Sequence, residues 1–228
     1  MSSYDAFAPI YDEWSAEMTE DVPFYVELAR ETKGPLVELA VGAGRVAIPV
    51  ARATGRPVIG IDNSPAMLVL ARQRAAEAAV ELDLREGDMR ELELDEPAGL
   101  IYCPYRALLH LPTWADRRRV FERVAASLAP NGRFAWNAFC FDYRVAAVND
   151  GHQDEPVPHT AVHSPAESRL DLTLDSGGRV SLWWVTRSEW EGLVDVSGLE
   201  TEALYGWFDR RPFDDESREF VWIARKPA

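Results

Sequence analysis

Cysteine is nearly absent from this chain, with only Cys103 and Cys140 among its 228 residues. Two cysteines so far apart exclude a disulfide framework, and their spacing excludes a cysteine-based zinc site. Basic charge is also scarce, with 24 lysines and arginines against 38 aspartates and glutamates, for a formal net charge of −14. Such a field repels phosphate backbones and anionic membranes unless a local basic patch offsets it. The one dense basic run, Arg117-Arg118-Arg119, lies in a segment of amphipathic helical spacing and reads as a solvated face. No apolar run approaches the about 20 residues that span a bilayer. The N-terminus, Met-Ser-Ser-Tyr-Asp, lacks the basic and apolar regions of a secretion signal. The four histidines, His110, His152, His159 and His163, match no metal-ligand spacing on one helix face. The expectation is one cytoplasmic domain, monomeric or homodimeric, without metal, membrane or nucleic acid as partner.

What is present is an alternation of short apolar runs with helical ones from Leu36 to Ala138, the pattern of βαβ units and a parallel sheet. Strands are predicted at 36–41, 57–61, 81–86, 99–103 and 133–139. Ser64-Pro65 supplies a capping hydroxyl and a first-turn proline for a helix running to Ala79. Thr113 opens another over 114–128, which Pro130-Asn131-Gly132 closes. Pro49 stands in the first turns of the helix after Gly44, tolerable there if it marks a kink. Before the sheet comes an aromatic segment, Tyr4, Phe7, Tyr11 and Trp14, then a helical stretch around 20–31. After residue 140 the texture turns polar, and 168–186 reads as two strands joined at Asp175-Ser176-Gly177-Gly178. A short helix from Ser188 to Val196 ends at Gly198, and two last strands, 200–208 and 219–225, form a closing antiparallel pair.

Chemistry concentrates where Val37-Glu38-Leu39-Ala40-Val41-Gly42-Ala43-Gly44-Arg45 carries a strand into a glycine turn and then a helix. Free N–H groups, missing side chains and the positive end of a helix dipole converge there, as a nucleotide-like ligand requires. Gly42-Ala43-Gly44-Arg45-Val46-Ala47 satisfies a dinucleotide fingerprint, and Asp62 ends the next strand where a ribose-binding acid belongs. NAD and S-adenosylmethionine are served equally by those features. Glu38 separates them, because an acid before the glycines welcomes a cationic aminoacyl group and repels a pyrophosphate. Gly87-Asp88-Met89 puts a second acid at the third strand tip, positioned to accept from an adenine amino group. The closing antiparallel pair is unnecessary to a dinucleotide fold.

The set resembles class I S-adenosylmethionine-dependent methyltransferases. The matching segments are 37–44, Ile59-Gly60-Ile61-Asp62-Asn63-Ser64-Pro65-Ala66-Met67-Leu68, Glu86-Gly87-Asp88-Met89-Arg90 and Ser127-Leu128-Ala129-Pro130-Asn131-Gly132-Arg133. They span about residues 36–140, and the likeness extends to the terminal 204–225 region; among subfamilies it is greatest to bacterial enzymes acting on small molecules, including amino sugars. The resemblance implies an α/β, Rossmann-like seven-stranded sheet, parallel with an antiparallel last strand and flanked by helices, plus a small antiparallel β insertion after strand 5. It divides the single domain into an N-terminal lid (1–33), a cofactor core (34–140), the insertion (141–187) and a C-terminal part (188–228).

The resemblance also implies S-adenosyl-L-methionine as cofactor. Glu38 would face its amino-acid end, with the backbone at Ala40, Gly42 and Gly44 packed close. Asp62 would hold the ribose, with Asn63 and Met67 beside the adenosine. Asp88 and Met89 would flank the adenine, and Cys103 would precede the place where the cofactor meets its acceptor. Two departures stand out. Ala40 replaces the first glycine of the family's pattern, and Pro97-Ala98-Gly99 removes the usual acid opening the fourth strand. At the reacting end the candidate catalytic residues are His110, Arg106 and Tyr11. Trp14, Asn137, Phe139 and Trp183 are the candidates for the acceptor, although at most one of Trp183 and Trp184 faces a pocket because they alternate along a strand. His110, with an unperturbed pKa of about 6.5, suits general-base work. The acceptor is expected to be a small molecule methylated on N or O. The alternatives are a non-catalytic cofactor-binding protein of the same fold and an NAD-dependent oxidoreductase.

Overall fold

The computed structural model describes Glu13 and residues 18–228; the candidates Tyr11 and Trp14 lie outside the described residues. Seven strands form one sheet: β1 (Leu36–Leu39), β2 (Val58–Asp62), β3 (Leu82–Glu86), β4 (Ala98–Cys103), β5 (Leu128–Phe139), β10 (Glu200–Tyr205) and β11 (Glu219–Arg225). Their order is β10-β11-β5-β4-β1-β2-β3. The pairs among β1 to β5 are parallel, while β11 runs antiparallel to both β5 and β10. The strand order reverses on either side of β1, and the crevice outside those strand ends is where an open α/β sheet takes its ligand.

Among the described residues from 18 onward the helices are α1 (Asp21–Glu31), α2 (Ala47–Thr54), α3 (Pro65–Glu77), α4 (Trp114–Ser127), α5 (Tyr143–Asn149) and α6 (Arg187–Val196). Punctuation acts as the sequence suggests at α3, where Ser64 accepts from Met67 N–H and Pro65 opens the helix. The same holds at α4, where Thr113 accepts from Asp116 N–H. Pro49 needs no kink, because it is the third residue of α2 and its missing N–H belongs to a turn without intrahelical acceptors. The chain passes from α4 straight into β5, so Pro130-Asn131-Gly132 lies within the strand region rather than closing the helix.

The absent acid at the start of β4 has a steric cause. A Cβ at Gly99 would lie 1.8 Å from the Lys33 carbonyl oxygen. Gly99 and Leu100 both donate to the Pro35 carbonyl, at 3.0 and 3.3 Å, in a bulge that interrupts the β4–β5 register. No side chain fits there.

One face of the sheet buries a ring stack in which Trp136 lies flat on Trp222 at 5.7 Å, with Phe121, Phe134 and Trp190 around it. The other buries Phe24, Tyr25, Tyr102 and Phe208. These aromatics dominate the apolar burial that holds the helices to the sheet. Between β5 and α6 the chain builds a second, four-stranded antiparallel sheet: β6 (Gly151–Gln153), β7 (His159–Ser164), β8 (Arg169–Leu174) and β9 (Arg179–Trp183). The expected hairpin is β8–β9, while α5, β6 and β7 occupy the stretch that reads only as polar. Arg117 corrects the solvated-face reading of the basic run. It is buried and donates to the Trp183 carbonyl at 3.0 Å, tying α4 to the second sheet. Among the described residues no helix is long and apolar enough to cross a membrane.

Candidate active site

Two hollows open at the C-terminal ends of the parallel strands. The first, about 210 Å³, is lined by Ala40 and Gly42 after β1, Asp62, Asn63 and Met67 after β2, Asp88, Met89 and Arg90 after β3, and Tyr105 and His110 after β4. The second is a groove of about 840 Å³ running beneath the second sheet, with Arg106, Phe139, Phe141, His159 and His163 in its wall. Tyr105 lines both. Tyr105 thus belongs both to a cavity edged by strand-tip acids and to the groove along the insertion.

The floor of the first cavity is built by backbone geometry. Ala40 has φ 54°, a left-handed conformation that costs a non-glycine residue roughly 1–2 kcal/mol, and Gly42 has φ 53°. Ala40 therefore keeps the backbone path a glycine would take and narrows the cavity only by a methyl group. Asp62 accepts from Gly42 N–H at 2.8 Å through one oxygen and from Ser64 N–H at 2.8 Å through the other. One carboxylate thus locks the glycine turn to the start of α3. Asp88 caps the short 3-10 turn Met89–Glu91 and is gripped by Arg90, which also reaches Asp116 at 2.8 Å. Arg90 holds the Asp88 carboxyl below its usual range.

Glu38 does not reach the lining; it is 2% exposed, two residues before Ala40. Burial pushes its carboxyl well above the ordinary carboxylate range, the negative charges of Asp21 and Asp62 adding to the effect while Tyr102 and Arg45 oppose it. Among the described residues no donor meets Oε2 in hydrogen-bond geometry. Arg45 is not its partner, since that guanidinium is engaged by the buried Asp21 at 2.8 and 2.5 Å and by the Met18 carbonyl. A buried carboxylate oxygen without a donor costs about 1–3 kcal/mol, which something outside the protein can offset.

Two other expectations are placed differently. Gly44 is absent from the lining; with φ 81°, its Cβ would crowd Ile48 at 3.0 Å, so it shapes the entry to α2. Cys103 is wholly buried in the core and its thiol is pushed up by burial.

Past β4, Tyr105 and Arg106 have φ 56° and 62° in succession. Strain of about 1–3 kcal/mol per such residue persists only where the surroundings over-determine it. Here Arg45 lies over the Tyr105 ring at 4.9 Å. Glu219 on β11, with no solvent access, takes Arg106 Nε at 3.1 Å and Nη2 at 2.8 Å. Asn137 donates to the same Glu219 at 2.6 Å and accepts from the Tyr25 hydroxyl at 3.2 Å. Asn137 is thus a fully buried strut rather than a groove residue. Phe139 reaches the groove, and Trp183 lines neither hollow. Nothing in Pro104-Tyr105-Arg106 signals a left-handed turn, and Glu219, Asp21 and Arg90 become visible only once the strands are in place.

His110 lines the first cavity, but burial lowers its pKa to about 4, opposed by a hydrogen bond to the Ser181 backbone. The unperturbed value expected for it does not survive packing. The unfolded ring takes a proton near 6.5 and the folded ring only near 4, so the folded state is favoured above 6.5 and that advantage is lost as pH falls through 4. His110→Leu should therefore remove about 2 kcal/mol of acid destabilisation between pH 6.5 and 4, allowing for solvent at the cavity. Urea midpoints of both proteins across that range test this, and parallel curves would contradict it.

A profile described as a methyltransferase domain matches residues 36–132, the stretch that carries every strand tip named above. The dTDP-4-amino-2,3,4,6-tetradeoxy-D-glucose N,N-dimethyltransferase of Saccharopolyspora spinosa is 32% identical over 212 residues, covering 87% of this chain and 79% of that protein. The chain belongs to the class I S-adenosylmethionine-dependent methyltransferase family. The putative methyltransferase YqeM of Bacillus subtilis is 32% identical over 131 residues, a match of 57% of this methyltransferase and 52% of the relative's length. The structure of the CcbJ methyltransferase from Streptomyces caelestis superposes with TM-score 0.75 at 25% identity, over 92% of this methyltransferase and 89% of that chain. The cofactor of this methyltransferase is S-adenosyl-L-methionine. The fit is physical as well, since the Glu38 oxygen that meets no donor among the described residues suits an ammonium, and the Asp62 carboxylate lines the cavity where a ribose needs an acceptor.

Proposed function

We propose that this chain, acting as a single cytoplasmic domain over residues 1–228, transfers a methyl group to the nitrogen of a small-molecule acceptor. The observation that carries this reading is the sharing of Tyr105 between a cavity edged by strand-tip carboxylates and a separate groove. The cofactor supplies an activated sulfonium methyl group, so the protein has chiefly to align the acceptor and exclude water. Alignment of that kind can supply roughly 7–11 kcal/mol.

In this reading Glu38 pairs with the ammonium of the aminoacyl end, and the turn from Ala40 to Gly44 brings backbone close. Asp62 accepts from the ribose, Asn63 and Met67 flank the adenosine, and Asp88 with Met89 meets the adenine. Tyr105, Arg106 and Phe139 shape the passage to the groove, where the acceptor sits. His110 is uncharged at neutral pH, its imidazole keeping one N–H, and it lines the cofactor cavity. A neutral amine forms the new N–C bond as the S–C bond breaks, and the resulting ammonium gives up its proton to water. Nitrogen rather than oxygen is supported by the Saccharopolyspora relative, named an N,N-dimethyltransferase. A nucleic-acid acceptor is disfavoured by the net charge of −14.

The test is transfer of labelled methyl from S-adenosylmethionine to a panel of small amines and alcohols, beside calorimetry with S-adenosylhomocysteine and NAD. Label on amines and binding of the adenosyl ligand alone are expected. Binding of NAD alone, or label confined to alcohols, would overturn the reading.

A further inference from the structure

The groove has a charge pattern that narrows the acceptor further, an inference that rests on the function proposed above. Its wall carries three carboxylates, Glu20, Asp142 and Glu155, against two guanidiniums, Arg106 and Arg218. Both guanidiniums are ion-paired within the protein. Arg106 is tied to Glu219, and turning it toward an anion would strand a carboxylate that has no access to water. Arg218 pairs with Asp142 at 3.1 Å, and Arg144 holds the same carboxylate at 2.8 Å. Glu20 and Glu155 are exposed and make no ion pair among the described residues. The first 17 residues contain no lysine or arginine. The rest of the wall joins aromatic and apolar side chains, among them Tyr105, Phe139 and Leu170, to the polar Asn149, Gln153, His159 and His163, with Phe141 stacked on Trp184 at 3.9 Å behind it.

We infer that the acceptor is an amine on an apolar, phosphate-free body, drawn in by Glu20 and Glu155, and not a nucleoside-diphosphate sugar of the kind named for the Saccharopolyspora relative. A diphosphate carries several negative charges and needs guanidiniums or lysines free to meet it. This groove offers a negative rim and an aromatic wall, which suit a protonated or neutral amine with a ring attached.

The experiment measures binding to the protein saturated with S-adenosylhomocysteine, using tyramine, pyrophosphate and thymidine diphosphate as probes. Tyramine is expected to bind at least tenfold more tightly than either phosphate probe, and to lose several-fold in affinity in the double variant Glu20→Gln/Glu155→Gln. Both substitutions are at exposed positions, and an unchanged affinity for S-adenosylhomocysteine shows that the variant is folded. Phosphate binding equal to or tighter than tyramine, no tyramine binding, or an unaltered double variant would overturn the inference. Failure to bind S-adenosylhomocysteine at all would instead sink the methyltransferase reading on which it stands.

Discussion

Glu38→Gln is expected to weaken S-adenosylhomocysteine binding by one to two orders of magnitude while stabilising the ligand-free protein at neutral and alkaline pH. Both signs follow from one side chain. Glu38 is buried, its Oε2 meets no donor among the described residues, and burial raises its pKa well above the ordinary value. A group whose folded pKa is raised contributes its full stability below the unfolded pKa, near 4.5, and loses it as pH rises toward the folded value. Glutamine has the same shape and no charge to bury, so the variant escapes that loss, and the two proteins should melt alike at pH 4 and diverge above it. With ligand bound the balance reverses. A hydrogen bond to a charged group is worth about 1.5–3 kcal/mol, and 1.4 kcal/mol is tenfold in affinity. A variant that bound normally would mean that the carboxylate is a structural feature of β1 and nothing more.

Glu219→Ala should be the most damaging single change near the groove, costing about 3–5 kcal/mol of stability. For a chain of this size that corresponds to a fall in Tm of roughly 10 °C. Removing the carboxylate strands the Arg106 guanidinium and the Asn137 amide together, since both donate to it, and it frees the left-handed turn at Tyr105 and Arg106 that those bonds hold. Glu219→Gln keeps one acceptor and should lose less. Glu219 acts through Arg106 as a positioning residue. The KM for the acceptor should rise in the glutamine variant while the affinity for S-adenosylhomocysteine stays unchanged. Equal losses for cofactor and acceptor would point to a general loosening of the fold instead.

The cofactor half of this molecule was legible in the sequence because its parts are local. Glu38 lies within β1, and Gly42, Asp62 and Asp88 lie at or just past the ends of β1, β2 and β3, so the parallel order brings those strand ends together. The parallel run, the closing antiparallel pair and the 168–186 hairpin follow from periodicity, while the seven-stranded sheet with a separate antiparallel insertion follows from the family resemblance and is what the structure has. The acceptor half is a product of long-range contacts. Arg106 and Glu219 are 113 residues apart in sequence, and no pattern links them. His110 was visible as a residue, but the burial that lowers its pKa to about 4 depends on the second sheet reaching it through Ser181. The strand β7, with the sequence His-Thr-Ala-Val-His-Ser, shows too few apolar alternations to announce itself, and α5 exposes Tyr143, Val145 and Val148 where a helix face would be expected to be polar. Arg117 read as surface charge because its burial requires the insertion to fold over α4.

Glu38 Oε2 meets no donor among the described residues, and in this reading a bound ammonium completes it. Calorimetry with S-adenosylhomocysteine in two buffers of different ionisation enthalpy, repeated at pH values rising from the ordinary carboxylate range, tests it most directly. Wild-type protein is predicted to release protons on binding as Glu38 ionises against the ligand's ammonium, and Glu38→Gln to bind more weakly with that release abolished. Equal affinity and equal proton release in the two proteins would contradict the account.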